Sequence, residues 1–288
     1  MATSTSALGP TREIELPEGR IRYHERGDGQ PIVFVHGIVT NADIWRNVVP
    51  GLADRNRCIT PDWPLGGHEL PMTEGTDFSL FGLADLVDRT LAALDLDDVV
   101  LVGNDTGGAI CQAVAARHPT RLAGLVLTPC DAFDNFLPAP IKHLQLLGRT
   151  PTGLKMLAQT LRYRPVQRLP IAFGLLTRRP IPADIMASYT GPLREHAEVR
   201  RDFARLVRAI STRYTEDVAV GLPGFDRPAL VAWARQGFFP LGHGERLAGL
   251  LPAARLRIIE DSGPFVTEDR PDQVVTLMNE FLASIPRR

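Results

Sequence analysis

Apolar positions follow two rhythms along this chain. Apolar runs at Pro31 to Val35, Val99 to Val102, Leu122 to Leu127 and Ala229 to Trp233 have the near-continuous character of parallel strands buried on both faces. Arg57 to Thr60 and Arg255 to Ile259 read as further strands. Glu13 to Leu16 and Arg20 to Glu25 flank Pro17-Glu18-Gly19 and read as a hairpin. Between the strands the period lengthens. Leu80, Leu83, Val87, Leu91 and Leu94 line one face of a helix over Phe78 to Leu94, and helices are also expected over Asp43 to Ala53, Ala109 to Arg117, Gly244 to Leu251 and Pro271 to Ile285. Strand and helix alternate at both ends of the chain, which implies an α/β fold with a mostly parallel doubly wound sheet. From 135 to 226 the alternation stops, and proline-separated helical pieces replace it. The expected organisation is a loose tail over 1–10, an α/β core over 11–134, an inserted helical domain over 135–226, and the rest of the core over 227–288.

Composition narrows the class. The chain has 288 residues, 44% hydrophobic and 23% charged, enough apolar material for a substantial core. A net charge of −1 gives no reason to expect a nucleic-acid partner. That small total hides a division: residues 135–226 hold 14 Lys and Arg against 7 Asp and Glu, a net +7, and the remainder carries −8. The arginines read either as a solvated face beside an acidic core or as a draw for an anionic ligand. No run approaches the roughly 18 apolar residues of a membrane span, and the first ten residues lack the basic-then-apolar order of a signal peptide. Cys58, Cys111 and Cys130 are an odd number without metal spacing, which fits buried thiols in a reducing cytoplasm. No metal and no cofactor are expected, and the sequence does not indicate an oligomeric state.

The stretch Val99-Val-Leu-Val-Gly-Asn-Asp-Thr-Gly-Gly108 carries the chemistry. It reads as strand, tight turn, helix, with Asp105 at the apex. The pattern G-x-D-x-G is that of a nucleophile elbow with Asp in place of the commoner Ser. Gly103 and Gly107 suit a strained turn with close backbone on both sides. The free N–H groups of the following helix favour an anion at Asp105. The plainer reading is a βα turn whose Asp caps a helix.

With its His36-Gly37 after the third strand, its Gly-Asn-Asp105-Thr-Gly-Gly elbow, its helical insertion and its late Asp-Ser-Gly-Pro-Phe-Val-Thr-Glu-Asp-Arg-Pro271, the chain resembles the haloalkane dehalogenase and epoxide hydrolase branch of the α/β-hydrolase superfamily, over roughly Ile14 to Ile285. The resemblance implies a helical cap over a mostly apolar pocket, an Asp that forms an ester with substrate, and a His, oriented by an acid, that activates water to release it. It implies an oxyanion site at the backbone N–H groups of Thr106 and Ile38, with the His36 ring supporting that loop.

The resemblance breaks at two positions. The family His corresponds to Pro264, and His243 is the last histidine in the chain. The family acid corresponds to the segment around Gly237, with no carboxylate between Asp226 and Glu245. Thr106 and Ile38 also stand where dehalogenases carry halide-holding Trp and Asn. His68, in the loop after the fourth strand, is a possible replacement base or a surface histidine. Asp131 and Asp134 follow the sixth strand, where some relatives place their acid; either could contact substrate or cap a helix. Tyr163, Tyr189 and Tyr214 could supply cap hydroxyls. The expected function is chemistry on a small, largely apolar organic molecule through Asp105 without a standard triad, such as cyclisation, elimination or isomerisation. The alternatives are hydrolysis of ester, epoxide or carbon–halogen bonds with a replacement base, and a ligand-binding pseudoenzyme.

Overall fold

The computed structural model describes residues 5–285. Of the loose tail expected over 1–10, residues 1–4 lie outside the described residues. The rest corrects the expectation: Thr5–Leu8 is a helical turn (α1) and Leu8 is fully buried. The chain continues through β1 (Thr11–Leu16), β2 (Gly19–Arg26), β3 (Gln30–Val35), β4 (Asn56–Pro61), α2 (Leu80–Ala93), β5 (Val99–Asp105), α3 (Thr106–Arg117) and β6 (Leu122–Cys130). After six further helices come β7 (Ala229–Ala234), a helix, β8 (Ala254–Ile259) and two last helices.

All eight strands form one sheet in the order β1-β2-β4-β3-β5-β6-β7-β8. The first hairpin is antiparallel and adds to β4 antiparallel; every pairing from β4 to β8 is parallel. Every residue of β5 and β7 is buried, as strands covered by helices on both faces must be. β5 lies near the middle, between β3 and β6, so its carboxyl end opens beside the loops that leave both neighbours. In a sheet of this kind ligands bind at the carboxyl ends.

One expected helix is absent. Asp43 to Ala53 holds two short 3₁₀ turns, Ala42–Trp45 and Val49–Gly51. The Asn41 side chain caps the first, and Pro50-Gly51 withholds an amide donor and breaks the run.

Between β6 and β7 every regular element of the described residues is helical: α4 (His143–Leu147), α5 (Pro151–Thr160), α6 (Arg164–Gln167), α7 (Ala183–Glu195), α8 (Ala197–Ala209) and α9 (Thr212–Gly221). A turn-rich stretch links α6 to α7. This insertion is tied to the loops and helices of the α/β core by polar contacts. Asp202 of α8 accepts from the Met72 amide at 2.8 Å, Ser188 of α7 bonds Asp43 at 2.6 Å, and Tyr189 donates to Glu268 at 3.2 Å. Glu268, on α11 (Val266–Asp269) between α10 (Leu241–Leu250) and α12 (Pro271–Ser284), also pairs with Arg46 through two bonds of 2.6 and 2.7 Å. Among the described residues no helix is long and apolar enough to cross a membrane. The three cysteines are free and buried.

Candidate active site

Asp105 is the last residue of β5 and the N-cap of α3, with φ 57° and ψ −134°. This is a costly conformation for any residue with a side chain. The turn survives because glycines let three elements converge on it. A Cβ on Gly107 would lie 2.2 Å from the Val35 carbonyl oxygen, and one on Gly108 would lie 2.2 Å from Cys130 Cβ. On the other side, a Cβ on Gly37 would lie 2.4 Å from Asp105 Cβ. Strain recurs around the same spot: Val39 after β3 and Phe133 and Leu137 after β6 also have positive φ. Four such residues gather at the carboxyl ends of three adjacent strands, the pattern expected where a site is held in shape by its surroundings.

The Thr106 amide donates to Asp105 Oδ1 at 2.6 Å, and the Ile38 amide favours the charged form of the same carboxylate. The two donors expected to form an oxyanion site thus grip the Asp105 side chain itself. Burial opposes them. Asp105 is 4% exposed, and burial pushes its carboxyl up to about 6 despite those N–H groups and the Thr106 hydroxyl.

Asp131 stands directly beside this carboxylate. β5 and β6 pair in parallel with Asp105 opposite Cys130, so the residue after β6 falls next to the elbow. The side chain is buried, hydrogen-bonded to the Thr106 hydroxyl at 2.9 Å and to the Leu137 amide at 3.3 Å. Burial and then the Asp105 charge hold its carboxyl well above the usual range. Among the described residues no Lys, Arg or His bonds to either carboxylate.

The remaining expected residues separate. His36 is fully buried; its Nδ1 donates to the Gly37 carbonyl at 2.9 Å and its Nε2 accepts from the Trp63 amide at 2.9 Å. Those bonds fix a neutral tautomer, and burial lowers its pKa to about 4. It braces the loop that carries Ile38. His68 is not a surface histidine. It is 2% exposed, accepts from the Gly66 amide at 3.2 Å, and turns Nε2 toward buried Asp202, 3.6 Å away. Neither nitrogen serves Asp105. Asp134 points outward with an 81% exposed side chain and pairs with His243 at 3.3 Å, so it does not join the site. Tyr189 spends its hydroxyl on Glu268, Tyr163 is exposed, and Tyr214 packs edge-on against Phe81.

Gly237 and Pro264 come together: a Cβ on Gly237 would sit 2.5 Å from the Pro264 ring. Pro264 in turn reaches the elbow, since its carbonyl accepts from Asn104 Nδ2 at 3.1 Å. Gly237 has φ +126°, so a carboxylate side chain at that position would strain the backbone.

The capped pocket expected over Asp105 is not among five grooves of 310–790 Å³ on the described residues, none of which Asp105 lines. Two contributions were missed in the sequence: the Thr106 hydroxyl as a donor to Asp131, and Asp202 as the carboxylate facing His68. The first was accessible in principle, because sequential parallel strands set the ends of β5 and β6 side by side. The second joins residues 134 apart and left no local signal.

This architecture, with an acidic residue on a strained strand–helix turn at the carboxyl edge of a parallel sheet, matches the family model for the alpha/beta hydrolase fold over residues 30–271. The chain belongs to that family. It is 29% identical over 280 residues to a cis-3-alkyl-4-alkyloxetan-2-one decarboxylase of Shewanella oneidensis, covering 91% of this chain and 85% of the relative. It is 27% identical over 286 residues to haloalkane dehalogenase 2 of Mycobacterium bovis, covering 94% of each. A solved alpha/beta hydrolase fold protein from Burkholderia ambifaria superposes with a TM-score of 0.79 at 23% identity, over 93% of this chain and 97% of that one.

Proposed function

We propose that this protein is an enzyme that transfers protons on a small, largely apolar organic molecule through Asp105, in an isomerisation, elimination or cyclisation, without a His–acid pair. The observation that carries this reading is the pairing of two buried carboxylates at Thr106 with, among the described residues, no imidazole bonded to either. A carboxyl lifted to about 6 is suited to take or give a proton near neutral pH. The N–H groups of Ile38 and Thr106 hold its charge in place. The helical insertion acts as a cap, and substrate enters when it moves away from the elbow.

A second reading, nucleophilic attack by Asp105 on carbon, draws support from the same amides, which hold one carboxylate oxygen as an attacking group requires. The relatives named for dehalogenation and oxetanone decarboxylation favour electrophilic small molecules as probes. Release of an ester by water, however, needs a positioned base, worth about 10²–10⁴-fold. His68 accepts from Gly66 and turns its other nitrogen toward Asp202 at 3.6 Å, and Pro264 carries none. Haloalkanes, epoxides and esters should therefore not be turned over at rates usual for this fold. The experiment follows released product and intact protein mass with each probe. No turnover and no adduct is expected. A stable adduct on Asp105 would move the assignment to nucleophilic attack with blocked release. Rapid turnover lost in Asp105→Asn would overturn the proposal.

A further inference from the structure

Charge is divided within the insertion as well as between it and the core. All seven Asp and Glu of residues 135–226 fall after 183, and residues 135–183 hold eight Lys and Arg with no Asp or Glu. Six of the seven large apolar side chains exposed among the described residues lie in the same stretch: Leu146, Met156, Tyr163, Leu169, Ile171 and Leu175. Single exposed apolar residues are ordinary, but a concentration of them on one segment marks a surface that something covers.

The fold gathers both kinds of residue around one groove. Arg164 at the start of α6, Arg168 just after it, and Arg178 and Arg179 before α7 line a groove of about 610 Å³. Phe173, Ile181 and Met186 supply apolar parts of its wall. Between the two arginine pairs the chain turns back on itself. The Phe173 amide donates to the Gln167 carbonyl at 3.0 Å, and the Gly174 amide to the Leu169 carbonyl at 3.1 Å. Exposed Leu169 and Ile171 therefore sit on a turn with arginines on both sides. Exposed Tyr163 is stacked beneath Arg162 beside them. Of the eight basic residues only Arg178 reaches a carboxylate among the described residues, exposed Asp261 at 3.4 Å. These cations are not spent on the acidic core.

We propose that this face of the insertion docks on an anionic lipid bilayer, with Leu169 and Ile171 entering the headgroup boundary and the groove arginines bound to lipid phosphates. Each guanidinium near an anionic leaflet strengthens binding about fivefold. The apolar side chains between them gain by leaving water. No carboxylate in residues 135–183 opposes the approach. A nucleic acid fits this face less well, because aliphatic Leu169 and Ile171 offer a base no ring to stack on. The contact is peripheral, since no helix of the described residues is long and apolar enough to span a bilayer. The docking face also borders the candidate site. The Leu176 carbonyl accepts from the Phe265 amide at 2.8 Å, and the adjoining Pro264 carbonyl accepts from Asn104 at 3.1 Å, one residue before Asp105. Docking does not depend on the reaction assigned to Asp105.

The test is co-sedimentation of the full-length protein with vesicles of equimolar phosphatidylglycerol and phosphatidylcholine, and with vesicles of phosphatidylcholine alone. Wild type should bind the anionic vesicles, bind them less as salt is raised, and ignore the neutral ones. Arg164→Gln with Arg168→Gln should weaken binding about 25-fold, at roughly fivefold for each charge removed. Arg255→Gln with Arg257→Gln, on β8 outside this face, should leave binding unchanged. All four side chains are exposed, so both double variants should fold. Ile171→Trp reports insertion directly. Its emission should shift to the blue with anionic vesicles, over the constant signal of buried Trp45, Trp63 and Trp233. No binding to anionic vesicles, equal binding to neutral ones, equal losses in the two double variants, or unshifted Ile171→Trp emission would overturn the docking. Binding of single-stranded RNA in place of vesicles would overturn it too. Since no turnover is measured, failure of the docking leaves the proposed reaction standing.

Discussion

At Asp105 one residue sets electrostatics and stability against each other. Its carboxyl belongs near 3.8 in the unfolded chain and near 6 in the folded one, so folding favours the protonated form. That contribution is complete below about pH 3.8 and is lost as pH rises through 6, leaving a cost on the order of 2–3 kcal/mol at neutral pH. Asp105→Asn should therefore stabilise the protein by about that amount at pH 7.5 and by much less near pH 4, as read from urea unfolding at the two pH values. His36 works in the opposite direction. Its ring falls from 6.5 to about 4, so its contribution is present above pH 6.5 and is lost as pH drops toward 4. The two slopes partly cancel in wild type. In Asp105→Asn the acid side should fall more steeply, because the opposing Asp105 slope is removed.

The elbow behaves as a unit of three elements. β3 supplies carbonyls that lie against Gly107, α3 supplies the amide and hydroxyl of Thr106, and β6 supplies Asp131 and the packing surface of Cys130. Such a contact has no room for a methyl group. Gly107→Ala would press a Cβ to within 2.2 Å of a main-chain oxygen, which no side-chain rotation relieves. It should cost more than about 3 kcal/mol or prevent folding. Gly224→Ala, where an added Cβ meets nothing within 4 Å, should change stability by less than about 0.5 kcal/mol. Paired thermal melts of the two variants check both outcomes. The 3₁₀ turns at Ala42–Trp45 and Val49–Gly51 belong to the same scale. They replace an expected helix and keep the chain after Ile38 short and buried.

Across the whole molecule, the helical insertion is docked on the loops and helices around the sheet by a few polar contacts. Asp202 is the most exposed to perturbation. It is fully buried, takes the Met72 amide and faces His68, while Arg201 and Arg205 reach toward it from the rim. Asp202→Ala removes an acceptor from a buried amide and a partner from a buried ring, which should cost about 3–5 kcal/mol. Hydrogen exchange should quicken first in residues 65–76 and in α8, with the strands β3, β5 and β6 still protected. Uniformly faster exchange across the sheet would show that the insertion and the core open as one cooperative body.

The sequence by itself determined the α/β class, the parallel sheet and the helical character of the interruption, because burial on two faces and a 3.6-residue period leave marks in neighbouring residues. It also placed Asp105 at a strand–helix turn, since the glycines around it have no other use. The tertiary structure alone decided what surrounds that carboxylate. Whether His68 faced solvent or Asp202, whether Asp134 or Asp131 joined the site, and whether Thr106 was a spacer or a bridge all depended on strand neighbours and on a helix folding back across more than a hundred residues. Hydrogen bonds and desolvation are set by atoms within a few ångströms, and chain order does not encode which distant atoms those are.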